Sequence, residues 1–413
     1  MIPDTYNPRV AGLFPFRALR PTPAAAKDVA AVPYDVVTTE EAAALAHGNP
    51  LSFLRVSRPE IDLPPGTDPH ADIVYDKAAR NFRALQAAAP LVREEHETLY
   101  VYRLRMGSHE QTGVAACFAM DEYDDGLIKK HERTRRDKED DRTRHMLAIG
   151  AQTGPVFLTY RATAAVTEVV QHTVSTTNPM FDFHASDDVR HVIWAVEHPD
   201  QARLHRAFDG VSALYIADGH HRAASAARAR QELRAGKGPG EWDRFLGVAF
   251  PHDQVQILSY NRLVKDLGRE SPASFLSRLS ERFAVASGPA VPDRRGDVSM
   301  YLGGRWYTIT MGDAAGMPIA DRLDVNRLQE TVLTPLLGIG DVRTDGRIDF
   351  VGGARGTVFL EEAVSSGRAA VAFSMYPVSL DDLMAISDDG GIMPPKSTWF
   401  EPKLRDGLLS HVF

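Results

Sequence analysis

The chain of 413 residues has a single cysteine, Cys117. One thiol excludes an intrachain disulfide and any zinc site built on paired cysteines. No apolar run approaches the roughly 20 residues that a membrane-spanning helix needs. The first residues lack a basic stretch followed by an apolar one, so a soluble, cytoplasmic protein with no membrane partner is expected. A basic excess is also missing. The formal net charge of −8 argues against an extended nucleic-acid surface, although it says nothing about local patches. No Gly-x-x-x-x-Gly-Lys-Ser/Thr loop occurs, so this is not a P-loop kinase. There is neither an internal repeat nor a low-complexity tract. What is left is an ordinary globular composition, 44% hydrophobic and 25% charged, on a chain long enough for two or three domains.

Against that background one stretch stands out, Asp218-Gly219-His220-His221-Arg222. The apolar, partly β-branched residues 211–217 before it predict a buried strand, and the alanine-rich residues 223–234 after it predict a helix. A strand that turns through glycine into a helix leaves backbone N–H groups without acceptors at the helix start, where an anion is favoured. Two imidazoles and a guanidinium add donors and positive charge suited to phosphate. The residues also fit plainer roles, with Asp218 as a helix cap, Gly219 as a turn residue and the rest as a polar first turn. A metal site is a third reading. Adjacent histidines point in different directions on a helix, so His220 and His221 do not readily face one ion.

Elsewhere the pattern alternates short apolar runs with turns. Strands are expected within 29–37, 51–56, 98–104, 114–120, 156–160 and 191–196, with residues 98–104 and 114–120 forming a hairpin. Residues 245–250 and 255–260 look like a strand pair, and 298–302 with 305–311 like a hairpin around Gly303-Gly304. Helices are expected over 72–87, 164–173 and a run after Thr39, the candidate cap. Interleaved charges over 129–145 predict a helix exposed on most of its surface. A boundary is placed near 265–295, giving a region 1–265 that holds the phosphate-handling turn and a C-terminal α+β region 266–413. The fold class is α+β, with mixed short-strand sheets, and not a doubly wound sheet.

Three further clusters carry chemically useful side chains. His131-Glu132-Arg133-Thr134 brings a base, an acid, a guanidinium and a hydroxyl together, unless it is simply a solvated helix face. The stretch 393–403 sets Lys396 and Lys403 among prolines, Ser-Thr and aromatics; it reads equally as a stiff loop laying Lys396 over an anion and as a tail docked by Trp399 and Phe400. Pro33-Tyr34-Asp35 puts a carboxylate after a strand-ending proline, and residues 341–353 form a weaker polar turn and strand.

Taken in order, Val-Pro-Tyr-Asp at 32–35, His-Glu-Arg-Thr at 131–134, Ala-Asp-Gly-His-His-Arg at 217–222, Arg-Ile-Asp-Phe-Val-Gly-Gly at 347–353 and Met-Pro-Pro-Lys-Ser-Thr-Trp-Phe at 393–400 resemble the bacterial and archaeal domain-of-unknown-function family DUF1015. The Gly-His-His-Arg core is also similar to the phosphate-binding turn of the ParB/sulfiredoxin superfamily, which includes an archaeal free-serine kinase. That resemblance implies a ParB/sulfiredoxin-like core plus a C-terminal α/β region, and ATP- and Mg²⁺-dependent phosphorylation of free L-serine, with ADP as another possible donor. It implies that Gly219, His220, His221 and Arg222 hold the nucleotide phosphates, helped by Arg133, Thr134 and Lys396. Glu132, Asp35, Asp218 and His131 are the candidate catalytic groups, with Glu132 or Asp35 as base and Asp218 as orienting group or Mg²⁺ contact. Rival readings are a metal-dependent hydrolase using His131, His220 and His221, and a nucleotide-binding regulatory protein without catalysis. A sulfiredoxin-like reductase is excluded because histidine stands where its cysteine would be. A DNA-binding ParB-like switch lacks the basic recognition helix. No motif fixes the oligomeric state.

Overall fold

The structure, a computed structural model, describes residues 11–88 and 90–413 and is α+β. The chain forms two compact units. One runs as far as Val255 and takes up Pro402–Phe413 as well; the other is Gln256–Glu401.

The first unit is built on an eight-stranded mixed sheet. Its strands are β1 (Tyr100–Met106), β2 (His109–Ala119), β3 (Ile128–Lys129), β4 (Val156–Tyr160), β5 (Phe181–His184), β6 (Arg190–Ala195), β7 (Leu214–Asp218) and β8 (Arg244–Pro251), in the spatial order β3-β7-β4-β8-β2-β1-β6-β5. The β1–β2 hairpin follows from the sequence: Met106 faces His109 across a two-residue turn, and Gly107 supplies the positive φ of 58° that such a turn needs. Most of β2 is buried on both faces, as suits a run of small and apolar residues in a central strand. Helices α1 (Asp72–Ala87), α2 (Arg136–Ile149), α3 (Ala164–Thr176), α4 (His198–Phe208) and α5 (His220–Lys237) complete this unit's main layers. A core cluster joins sheet residues such as Val101, Phe118, Leu158 and Ile216 to α5 through Ala223, Ala226 and Ala229. Small residues on that face let α2 come close. Thr143 Oγ1 donates to the Ser225 carbonyl at 3.4 Å, and Ser225 Oγ donates to the Glu139 carbonyl at 3.2 Å.

Two pairings decide where functional side chains lie. β3 runs parallel to β7, with Ile128 opposite Leu214 and Lys129 opposite Tyr215. The two chains therefore leave the sheet side by side, one towards His131 and the other towards Gly219. The second pairing is made by the C-terminal segment of the first unit. Asp406 N–H donates to the Ala31 carbonyl at 2.9 Å, and His411 pairs with Gln152.

The second unit has a six-stranded antiparallel sheet, in which the 297–302 and 305–310 hairpin turns at Gly303 and Gly304. Trp399–Glu401 pairs with Gln256–Leu258, and Phe400 is buried.

Several local expectations fail for identifiable reasons. Residues 29–37 form no strand: Ala26–Val29 is a helical turn and Tyr34–Val36 a 3-10 turn. Residues 51–56 lead into the short helix Leu54–Ser57, since Phe53, Leu54 and Val56 bury their side chains from one turn, and a run this short has no decisive period. The helix cap is Thr38, not Thr39; Glu41 N–H donates to Thr38 Oγ1 at 3.2 Å, and Thr38 N–H donates to Glu41 Oε2 at 2.9 Å. β8 pairs with β2 and β4, not with residues 255–260, of which 256–260 belong to the second unit. The charged helix begins only at Arg136, and Asp141, Thr143 and His145 on it are buried. Residues 130–135 precede that helix as a loop, so His131 is not on a solvated helix face.

Candidate functional site

The β7–α5 junction forms as the residues require. Gly219 adopts φ 96°, ψ 28°, in the left-handed region that disfavours other residues. It needs to be glycine for a second reason: a Cβ there would lie 3.1 Å from Cζ and Nε of Arg222, whose guanidinium folds back over the turn. Gly219 is the cap, and Asp218 closes the strand, so Asp218 is not the helix cap. The first bond of the helix runs from Ala223 N–H to the Gly219 carbonyl at 3.0 Å, so the amides of residues 220–222 have no acceptor within the helix.

One side of the turn is ionic. Asp218 Oδ2 accepts from Arg222 Nη2 and from Lys403 Nζ, each at 3.3 Å. Burial pushes the Asp218 carboxyl up, but Lys403 and Arg222 outweigh it and hold the group well below the usual carboxylate range. Arg222 is only 7% exposed and also donates from Nη1 to the Pro155 carbonyl at 2.5 Å, while its Nε is buried without a hydrogen-bond partner. Burial opposes its charge, and the carboxylates of Asp35, Asp218 and Asp406 restore it. Of these three carboxylates Asp35 is the exposed one.

Behind Arg222 lies a cavity of about 40 Å³, lined among others by Tyr34, Arg142, His145, Gly154, Arg222 and Asp406. Arg142 sits 4.2 Å from the centre of the Tyr34 ring and pairs with Asp141 at 2.7 Å. Asp406 is 3% exposed, and its Oδ1 has no hydrogen-bond partner. Burial raises its carboxyl to about 7 against the pull of Arg222. Gly154 makes room for it, since a Cβ at that position would lie 2.6 Å from Asp406 Oδ1.

The other side of the turn is built of imidazoles. His131 and His220 meet edge to face with ring centroids 4.4 Å apart, and the His131 N–H donates to His220 Nε2 at 3.4 Å. Burial drives the His131 imidazole down to about 4, partly offset by Asp218 and the Ile216 carbonyl. Burial and the neighbouring His131 likewise hold His220 far below its ordinary value, so both rings are neutral near pH 7. His221 points elsewhere: its Nε2 accepts from Arg135 N–H at 3.1 Å. Thr134 Oγ1 donates to Glu139 Oε1, inside the first turn of α2, and Arg133 is exposed.

The structure thus gathers Asp218, Gly219, His220 and Arg222 with His131 and Glu132, and places the Asp35 charge beside Arg222. Lys396 lies in the second unit, at φ 58°, where its carbonyl accepts from Arg262 Nη2 at 3.0 Å. Sequence reasoning passed over Lys403, Asp406 and Arg142. Lys403 was visible as the second lysine of the 393–403 stretch. Asp406 and Arg142 carry no local signal, because only the return of Pro402–Phe413 and the packing of α2 bring them in.

The model of the family described as a protein of unknown function, DUF1015, matches residues 13–326. The chain belongs to the DUF1015 family. No curated protein matches this DUF1015 sequence. Among solved structures, a free serine kinase variant in complex with ADP is similar at 15% identity, covering 72% of this chain and 92% of that one, with a TM-score of 0.37. SbnI with a C-terminal truncation, from Staphylococcus aureus, matches at 12% identity over 71% of this chain and 85% of that one, with a TM-score of 0.38. A conserved hypothetical protein from Pyrococcus furiosus matches at 14% identity over 72% of this chain and 94% of that one, with a TM-score of 0.34.

Proposed function

We propose that this protein is a nucleotide-dependent small-molecule kinase that transfers the terminal phosphoryl group of ATP to the hydroxyl of free L-serine, with Mg²⁺. The observation that carries the reading is the β7–α5 junction, where a left-handed glycine opens a long helix whose first amides have no helical acceptor, beside Arg222. Such a helix start attracts phosphate through its N–H groups and its dipole. The choice of serine comes from the likeness of Gly219-His220-His221-Arg222 to the turn of free-serine kinases.

In this reading the backbone amides of residues 220–222 and the Arg222 guanidinium hold the nucleotide phosphates beside Gly219, and the neighbouring Arg133 and Thr134 supply further contacts. Asp35 is the base. It is exposed and its charge faces Arg222, so it accepts the serine hydroxyl proton while the hydroxyl oxygen bonds to the γ-phosphorus and ADP leaves. Asp218 is the orienting group. Its Oδ2 already meets two cations, an environment that suits holding Arg222 in place and does not suit a further dication. Mg²⁺ typically keeps several waters and is held partly by substrate phosphates, where it would neutralise their charge.

The test is to incubate the purified chain with Mg²⁺, ATP and L-serine and to follow ³¹P NMR, with an ADP-fed sample and a serine-free control. A serine-dependent phosphomonoester signal is expected, and the sample that yields it names the donor. Nucleotide breakdown without serine would replace the kinase with a hydrolase. Nucleotide binding with no product would leave a regulatory protein.

A further inference from the structure

We propose that His131, Glu132 and His220 form a binding site for one divalent transition-metal ion. This goes beyond the kinase reading and does not depend on it. Each of the three side chains offers a ligand atom, and these atoms all lie within 4.8 Å of one another. Ligand atoms around a bound ion lie roughly 3–3.4 Å apart for metal–ligand distances near 2.1 Å. Closing the group therefore asks for side-chain rotations and not for a change of backbone.

The site is produced by the parallel pairing of β3 with β7. Opposing Ile128 to Leu214 and Lys129 to Tyr215 sends two histidines from distant parts of the sequence into contact just beyond the sheet edge. A second observation points to a ligand. His131 is 2% exposed, and neither of its ring nitrogens makes a well-formed hydrogen bond, with the Ile216 carbonyl the nearby acceptor that favours its charged form. A buried polar group without a partner is costly, and an ion bound through one ring nitrogen removes that cost for the nitrogen it meets. His220 is 5% exposed and Glu132 half-buried, so the group opens to solvent on the carboxylate side. Lys130, the nearest lysine in sequence, directs its ammonium to the Tyr123 ring, 3.6 Å from the centroid.

The donor set selects the ion. Two imidazoles and one carboxylate suit Zn²⁺, Mn²⁺ or Fe²⁺, whereas Mg²⁺ and Ca²⁺ demand oxygen ligands. Three protein ligands leave positions open for water or a substrate oxygen, the arrangement of catalytic rather than structural metal sites. The site also differs from the histidine triad of the rival hydrolase reading. His220 stays within the group beside His131, whereas His221 Nε2 accepts from Arg135 N–H outside it, and Glu132 takes the place of His221.

The experiment uses the full chain, freed of metal by chelator and dialysed, with no nucleotide present. Titration with Co²⁺ is followed by visible absorption, and Zn²⁺ competition is followed by its loss. One equivalent bound with micromolar or tighter affinity is expected, weakened at least tenfold by Glu132→Gln and abolished by His131→Ala. His221→Ala should leave the metal affinity unchanged. Glu132→Gln alters a half-buried side chain and so keeps the test sound if His131→Ala fails to fold. Absence of binding by the unaltered chain overturns the site, as does binding that survives Glu132→Gln at full strength. Because phosphoryl transfer is read separately by ³¹P NMR, loss of either result leaves the other standing.

Discussion

The two sides of the Gly219 turn use the same backbone for opposite chemistry. On the Arg222 side, charge is concentrated: a guanidinium and an ammonium converge on one carboxylate oxygen, with two further carboxylates facing the guanidinium. On the His220 side, charge is suppressed, since burial keeps His131 and His220 neutral. Successive residues on a helix point about 100° apart, so residues 220 and 222 reach different neighbourhoods although they are two positions apart. In the proposed readings, one segment serves an anion on its Arg222 side and presents neutral donors to a cation on its His220 side. The lesson is that a compact motif need not be a single site.

The strongest way to break the comparison is Arg222→Ala. Phosphoryl transfer should be abolished while Co²⁺ still binds at the imidazole side. Arg222 is buried, and its removal strips Asp218 of one of two cations, which should cost about 3 kcal/mol of stability by thermal or denaturant unfolding. Full transfer by the variant would show that the ionic side does not hold phosphate. Next comes Asp35→Asn, expected to lower kcat by about 10²–10⁴ with nucleotide affinity retained. A loss confined to nucleotide binding would move the base elsewhere, with Glu132 first in line.

Lys403→Met sharpens the division of labour around Asp218. With Arg222 still in place, stability should fall by roughly 1–3 kcal/mol, and metal affinity should not change. An unchanged melting curve would mean that Arg222 alone neutralises Asp218.

The smallest effect concerns Asp406 and appears only as a function of pH. Its folded-state carboxyl titrates at about 7, above the ordinary 3.8, so the folded chain keeps a proton that the unfolded chain releases. Stability contributed by that proton is present at low pH and is lost as pH rises towards and through about 7. Asp406→Asn cannot ionise, so it should match the parent near pH 4 and exceed it in melting temperature by a few degrees at pH 8. Parallel melting curves at every pH would remove Asp406 as a titrating group.

Much of the junction is legible in the sequence, and the reason is local. An apolar run, a glycine and an alanine-rich run specify strand, turn and helix through propensity and the glycine's freedom at positive φ. The same holds for the Gly107 and Gly303-Gly304 hairpins. Where apolar runs are short, as at 51–56, helix and strand patterns coincide, and packing of Phe53 and Leu54 decided between them. Partners distant in sequence were not legible at all. Nothing near Lys403 or Asp406 announces that the chain's last residues return to Ala31 and Gln152.

By itself, then, the sequence determined the α+β class, the family, the absence of an intrachain disulfide and of a P-loop, and the strand–glycine–helix unit with its polar first turn. Those properties reside in residue identity and short-range pattern. The tertiary structure alone decided that Arg222 turns inward to Asp218, that Lys403 joins it, that His131 meets His220, and that His221 faces away. The last three are consequences of strand pairing, register and the return of the C-terminal segment, which bring together residues 86 to 185 positions apart, and the first follows from burial that no local pattern encodes.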